Sequence, residues 1–114
     1  HGVGFFLNVH EGPQSISKYN SVKIKEGMIL SNEPGYYKKG YYGIRIENLV
    51  YVKKNKKNLQ FENLTLAPIE AKLINYKLLS KSEKDYLFKY HLTIYSMYYK
   101  FLNMKERKWL ASLI

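Results

Sequence analysis

Apolar residues in the first 66 positions recur with the two-residue period of β-strands, and glycine, proline, serine and asparagine separate these segments. Strands are therefore predicted at residues 1–10, 22–25, 28–32, 36–39, 43–53 and 59–66. The third is expected to stop at Pro34-Gly35, and the pair flanking Gly40 is expected to form a hairpin. The lysine-rich run 53–57 is interpreted as a solvated turn rather than a binding patch, because strands precede and follow it.

From about residue 70 the apolar period becomes that of a helix. Ser80 and Glu83 fit the S-x-x-E capping box, which predicts a helix start. One apolar stripe is expected along this helix, formed by Leu87, His91, Ile94, Tyr98 and Phe101. A second helix over residues 105–113 is expected to bury Trp109, Leu110 and Leu113. Strands followed by helices indicate the α+β class.

The length of 114 residues suits one domain or a piece of a larger one. The chain starts at His1 inside a predicted strand, so we interpret it as a fragment whose parent continues upstream. It contains no cysteine, which excludes disulfides and thiolate chemistry and agrees with a reducing compartment. No apolar run approaches the roughly 20 residues of a membrane span, so no membrane partner is expected.

The formal net charge of +10 raises the possibility of a nucleic-acid-binding domain, whose affinity would fall steeply with salt. Only Arg45 and Arg107 of the 19 basic residues are arginines. Arginine supplies most bidentate contacts to bases and phosphates, so nucleic acid is not the expected partner. The abundance of lysine is better explained by a coding bias that acts on solvated positions.

Four side chains able to bind a metal lie in or beside the predicted strands, namely His1, His10, Glu33 and Glu47. Alternation places Arg45 and Glu47 on one face of their strand. Taken singly, these residues are ordinary: a loop histidine, a polar turn residue and a surface ion pair. Together, two carboxylates and two imidazoles on neighbouring strands match a site for manganese, cobalt or zinc.

Three motifs surround these residues. The first is a histidine motif, His1-Gly2-Val3-Gly4 with Asn8-Val9-His10-Glu11-Gly12-Pro13, and the other two are glutamate motifs, Asn32-Glu33-Pro34-Gly35-Tyr36-Tyr37 and Gly43-Ile44-Arg45-Ile46-Glu47-Asn48. They resemble the Xaa-Pro aminopeptidase branch of the M24 metallopeptidase family, in the family's order and at its spacing. Residues 64–69 and the helix around Tyr90-His91 resemble the C-terminal extension of the larger, cytosolic-type members. The resemblance implies a partial pita-bread fold, with residues 1–69 in the catalytic domain and 70–114 as a helical extension, and a cytoplasmic enzyme.

The resemblance also implies a role for each site residue. His1, Glu33 and Glu47 match metal ligands, with Glu47 bridging two divalent ions and Glu33 accepting the proton of the attacking water. His10 matches a histidine that holds substrate or stabilises charge on the scissile carbonyl, and Arg45 matches an arginine that orients carboxylates. The ions would be manganese, with zinc or cobalt as alternatives. The reaction would remove the N-terminal residue from peptides with proline in the second position.

One departure from the family pattern concerns the ligand set. Family members carry two aspartate ligands and a further substrate-site histidine upstream of the segment that His1 opens. The fragment alone is therefore expected to be inactive and to need the upstream part of the same protein. The alternative is an inactive remnant or a non-catalytic binding module with the same fold. The resemblance further suggests that the aromatic helix surface around Tyr95, Tyr98 and Tyr99 supports a homodimer.

Overall fold

A computed structural model describes residues 1–4, 6 and 8–114 of the chain. The chain divides into two compact units, His1–Thr65 and Leu66–Ile114. The first unit contains β1 (Ile29–Asn32), β2 (Gly35–Lys38), β3 (Tyr42–Arg45), β4 (Asn48–Asn55) and β5 (Asn58–Asn63). The second contains α1 (Lys81–Tyr98) and α2 (Met104–Ala111), with 3-10 turns at Ala71–Leu73 and Tyr99–Phe101. The order of strands and helices confirms the predicted α+β class.

The core of the first unit lies on an antiparallel sheet with strand order β1-β4-β5. Leu30 pairs with Val50 across β1 and β4, and Val52 pairs with Phe61 across β4 and β5. Leu30, Val50 and Val52 form the buried cluster of this sheet. Val50 and Val52 alternate with more exposed neighbours along β4, as the two-residue period predicts for a sheet with one buried face.

Strands β2 and β3 form the predicted hairpin, in which Gly35 pairs with Arg45. Gly40 turns the chain with a φ of 77°, a conformation that glycine adopts without steric cost. The single strand predicted over residues 43–53 is wrong, because β3 and β4 belong to different sheets. Between them the backbone N–H of Ile46 donates to the carbonyl of Pro34 at 3.1 Å, one residue beyond the pair formed by Gly35 and Arg45.

The first predicted strands are the least accurate part of the sequence-based description. Within the described part of residues 1–10, Gly2 forms isolated bridges to Glu11 and Leu30, and no named strand is present. Phe5 and Leu7, which fall within this predicted strand, lie outside the described residues. Residues 22–25 form no strand either, and Ile24 instead packs against the sheet core from an irregular segment. The predicted lysine turn is shorter than expected, because β4 and β5 continue to Asn55 and from Asn58.

In the second unit, the predicted capping box starts α1. The Ser80 hydroxyl accepts from the Glu83 N–H at 3.3 Å, and the Glu83 carboxylate accepts from the Ser80 N–H at 2.8 Å. The bonds from Ser80 hold the pKa of Glu83 below its ordinary value. The predicted stripe is correct for Leu87, His91 and Ile94, which are buried.

The stripe prediction is wrong for Tyr98 and Phe101, which are exposed. Helix α1 ends at Tyr98, and the following 3-10 turn takes Phe101 off the helical face. The prediction for α2 is correct for the buried Leu110 but wrong for Trp109, which is 63% exposed. The side chains of adjacent helical residues point about 100° apart, so a narrow interface buries either Trp109 or Leu110 but not both. Tyr90, Ile94 and Leu110 make the core of this unit.

Neither helix of the described residues has the length and apolar character needed to cross a membrane.

Candidate active site

The segment that carries His1 is held against β1 and against the loop after His10. The Ser31 N–H donates to the His1 carbonyl at 2.8 Å, and the Gly2 N–H donates to the Gln14 carbonyl at 3.0 Å. A side chain at Gly2 would collide with the backbone carbonyl oxygen of Glu11, so glycine is needed for this close approach. These backbone bonds fix the position from which the His1 imidazole extends.

The imidazole of His1 is oriented by its own backbone and by a carboxylate. Its Nδ1 lies 2.8 Å from the Gly2 carbonyl oxygen and donates to it, so Nε2 faces away from the backbone. Nε2 lies 2.9 Å from Oε1 of Glu33. The two side chains are 32 positions apart in sequence and meet because the segment of His1 runs beside β1, which leads directly to Glu33.

Arg45 links the two glutamates. Its Nη1 lies 3.4 Å from Oε2 of Glu33, and its Nε lies 3.4 Å from Oε2 of Glu47. The pairing of Gly35 with Arg45 at the base of the hairpin places the guanidinium beside Glu33. The Arg45 side chain is 52% exposed, so each contact alone stabilises the fold little.

His10 joins the same cluster from the loop side. Its ring centroid lies 4.3 Å from that of His1, with the rings tilted by 36°. The five predicted site residues therefore converge on one pocket of about 430 Å³. Its lining consists of His1, Val3, Val9, His10, Glu33, Arg45, Glu47 and Leu49.

The donor types in this pocket fit a divalent cation, since imidazole nitrogen and carboxylate oxygen bind manganese, zinc and cobalt. The Nδ1 bond of His1 to a backbone carbonyl is the arrangement typical of metal-binding histidines, and it leaves Nε2 as the ligand atom. Among residues 1–4, 6 and 8–114, however, no three His, Asp or Glu side chains form a group able to hold a metal ion. Glu33 turns one oxygen to His1 and the other to Arg45, and Glu47 turns to Arg45, so each carboxylate contacts a side chain of this chain.

Sequence reasoning missed Ser31, and it named Gly2 only as a member of the histidine motif without a role. Ser31 lies two positions before Glu33, and this spacing places both side chains on one face of an extended chain. Its hydroxyl donates to Oε1 of Glu33 at 2.8 Å. The two-residue spacing could have linked Ser31 to Glu33. The burial of Ser31 could not have been inferred, because a polar residue near the end of an apolar strand is expected to be exposed.

His91 belongs to the core of the second unit, as predicted. It is 5% exposed, and its Nε2 accepts a hydrogen bond from the Ile69 N–H at 3.1 Å. Burial lowers the pKa of this imidazole.

Comparison with family models divides the chain into two matched regions. Residues 1–54 match the model described as metallopeptidase family M24, and residues 57–113 match the model of the C-terminal region of peptidase M24. The predicted boundary between residues 69 and 70 stays a prediction.

Two relatives illustrate the similarity. A probable Xaa-Pro aminopeptidase P of Coprinopsis cinerea is 46% identical over 96% of this chain. Xaa-Pro aminopeptidase 1 of Dictyostelium discoideum is 44% identical over the whole chain. This chain spans 20% of the length of each relative.

A solved structure agrees with these relatives. It is an X-prolyl aminopeptidase from Caenorhabditis elegans, described as a cytosolic enzyme with a di-nuclear active site. It superposes with a TM-score of 0.86 at 36% identity, covering 99% of this chain and 20% of that one. The antiparallel sheets with C-terminal helices are therefore the corresponding part of a pita-bread-type α+β fold. On these matches, the chain belongs to the M24 metallopeptidase family.

Proposed function

We propose that this chain contributes one wall of the active site of a two-metal Xaa-Pro aminopeptidase. The observation that carries the proposal is the convergence of His1, Glu33 and Glu47, from distant parts of the sequence, on one pocket. The names of the relatives and the di-nuclear site of the worm enzyme support the same activity.

In this proposal Nε2 of His1 and the carboxylates of Glu33 and Glu47 would be the ligands that this chain supplies to the two cations. The upstream part of the same protein supplies the remaining ligands, so this chain alone is expected to be inactive. Manganese is the proposed metal, with zinc and cobalt as alternatives. When bound, such cations activate a water molecule for attack and act as Lewis acids toward a carbonyl.

The remaining tasks fall to side chains of this chain. Glu33 accepts the proton of the attacking water, a role that requires hydrogen-bond reach between them. His10 lies beside His1, and its proposed role is to hold the substrate or to stabilise charge on the scissile carbonyl. Arg45 contacts both glutamates and keeps their carboxylates oriented. The substrate is a peptide with proline in the second position.

Cleavage of an X-Pro peptide by the intact protein tests this proposal. Activity is expected only with a divalent metal, and Glu47→Ala is expected to lower kcat/KM at least about 100-fold, because loss of a ligand removes charge stabilisation in the transition state. Glu62→Ala is the matched control, since Glu62 lies on β5 of the same unit outside the pocket lining. Full activity in the Glu47 variant would overturn the role of that residue.

The same assay separates the enzyme from the alternative, a non-catalytic binding module. An intact protein that binds X-Pro peptides but cleaves none with manganese, zinc or cobalt would support the binding module. A homodimer formed through the surface around Tyr95, Tyr98 and Tyr99 is a further part of the proposal, tested by light scattering on the intact protein. Cytoplasmic location is proposed by analogy with the worm enzyme and is tested by cell fractionation.

A further inference from the structure

Ser31 combines deep burial with a position next to the candidate metal ligands. Ser31 is 2% exposed, and in the described part of the chain it shares its status as a buried polar residue with His91. It lies on β1 after the core residue Leu30 and pairs with Leu49 of β4, which lines the pocket. A hydroxyl removed from water costs free energy unless it is hydrogen-bonded, so the partners of Ser31 indicate why a serine occupies this position.

The hydroxyl of Ser31 donates a hydrogen bond to Glu33. Its Oγ lies 2.8 Å from Oε1 of Glu33, whereas the other acceptor within reach, the His1 carbonyl, lies at 3.5 Å. Oγ also accepts from the terminal amino group of His1 at 3.2 Å. The serine therefore connects the backbone of one candidate ligand to the carboxylate of another.

The other contacts of Glu33 are less suited to hold it during metal binding. Arg45 is half-exposed and lies 3.4 Å away, a long distance for a charge-assisted hydrogen bond. His1 contacts the same oxygen as Ser31 through Nε2, the atom that acts as a ligand in the proposed function. A nitrogen that binds a metal carries no proton to donate, so this bond to Glu33 cannot persist in the loaded site. Among the described residues, Ser31 is then the buried donor that remains on Glu33.

We propose that Ser31 is a positioning residue that holds the Glu33 carboxylate in the orientation required for divalent-metal binding. The inference rests on the proposed function, because it takes Glu33 as a ligand. The backbone of Ser31 is fixed in β1 by its pairing with Leu49, so its hydroxyl offers a fixed point from which the more mobile glutamate side chain is oriented. Loss of a hydrogen-bond partner behind a metal ligand typically weakens metal binding about 10- to 100-fold.

The experiment measures manganese affinity of the intact, metal-free protein by isothermal titration calorimetry. Ser31→Ala is expected to weaken binding about 10- to 100-fold, and Ser31→Thr, which keeps the hydroxyl, is expected to restore most of the affinity. Ser112→Ala is the matched control, because its hydroxyl bonds the Trp109 carbonyl in the other unit. Melting temperatures of the metal-free variants are recorded beside the affinities. If Ser31→Ala fails to fold, Ser31→Cys replaces it as a side chain of similar size with a weak donor, and the same loss is expected.

The outcomes distinguish this inference from the proposed function. Unchanged manganese affinity in Ser31→Ala, with a lower melting temperature of the metal-free protein, would overturn the inference and leave a purely structural hydroxyl. Glu33→Gln is measured in parallel. If Glu33→Gln weakens binding while Ser31→Ala does not, only the role of Ser31 fails. If neither variant changes the affinity, the ligand role of Glu33 in the proposed function fails as well.

Discussion

Acidification is expected to destabilise the helical unit through His91. The imidazole is 5% exposed and uses Nε2 to accept a hydrogen bond from the Ile69 N–H. Protonation would place a charge in the core and convert that acceptor into a donor facing another donor. Burial accordingly lowers the pKa of His91 in the folded protein below its ordinary value of 6.5.

The sign and the upper limit of this change in stability follow from proton linkage at His91. Below pH 6.5 the unfolded chain binds a proton at this histidine and the folded protein does not, so stability falls as pH falls. The limiting slope is about 1.4 kcal/mol per pH unit. If the folded protein kept this imidazole neutral at both pH values, the free energy of unfolding would be about 2 kcal/mol lower at pH 5.0 than at pH 7.5 from this residue alone, which is the upper limit of the effect. Below the lowered folded-state pKa both states bind this proton, and stability no longer changes with pH through His91.

Urea unfolding followed by circular dichroism at pH 7.5 and pH 5.0 measures this contribution. His91→Gln is the comparison, because its amide oxygen can accept from Ile69 without titrating. The pH-dependent loss is expected to be smaller in the variant, by up to about 2 kcal/mol, since all other ionisable groups are the same in both proteins. Equal losses in the two proteins would refute the linkage to His91.

Three further outcomes are expected. Gly2→Ala should lower the free energy of unfolding by about 1–3 kcal/mol, because the new methyl group meets a backbone carbonyl. Gly12→Ala adds a methyl group in open space and should lower it far less, and thermal unfolding of both variants measures the difference. Ser80→Ala should lower stability by about 1 kcal/mol through loss of the helix cap, visible as a lower melting temperature. The ion pair with Lys53 at 2.8 Å holds the pKa of Glu62 low, so Lys53→Met should raise that pKa in an NMR titration, and an unchanged titration would contradict the pairing.

Features determined by short-range interactions were predictable from the sequence. The capping box at Ser80 and Glu83 joins residues three positions apart, and the hairpin around Gly40 needs only a glycine with a positive φ between two extended segments. The family motifs likewise identified the residues that line the pocket, because a motif lists side chains without needing their coordinates. The partnership of Arg45 with Glu47 also followed from local alternation.

Tertiary structure decided the features that depend on distant parts of the chain. The sequence grouped His1 with Glu33 only through the family motifs. Their direct contact and the burial of Ser31 beside them depend on the pairing of β1 with β4 and with the segment of Gly2. The sequence also could not choose Leu110 over Trp109 for the core, since both suit a helix and only the neighbouring surface selects one. Local propensity is a property of a few adjacent residues, whereas burial and site geometry are properties of surfaces that meet only after folding.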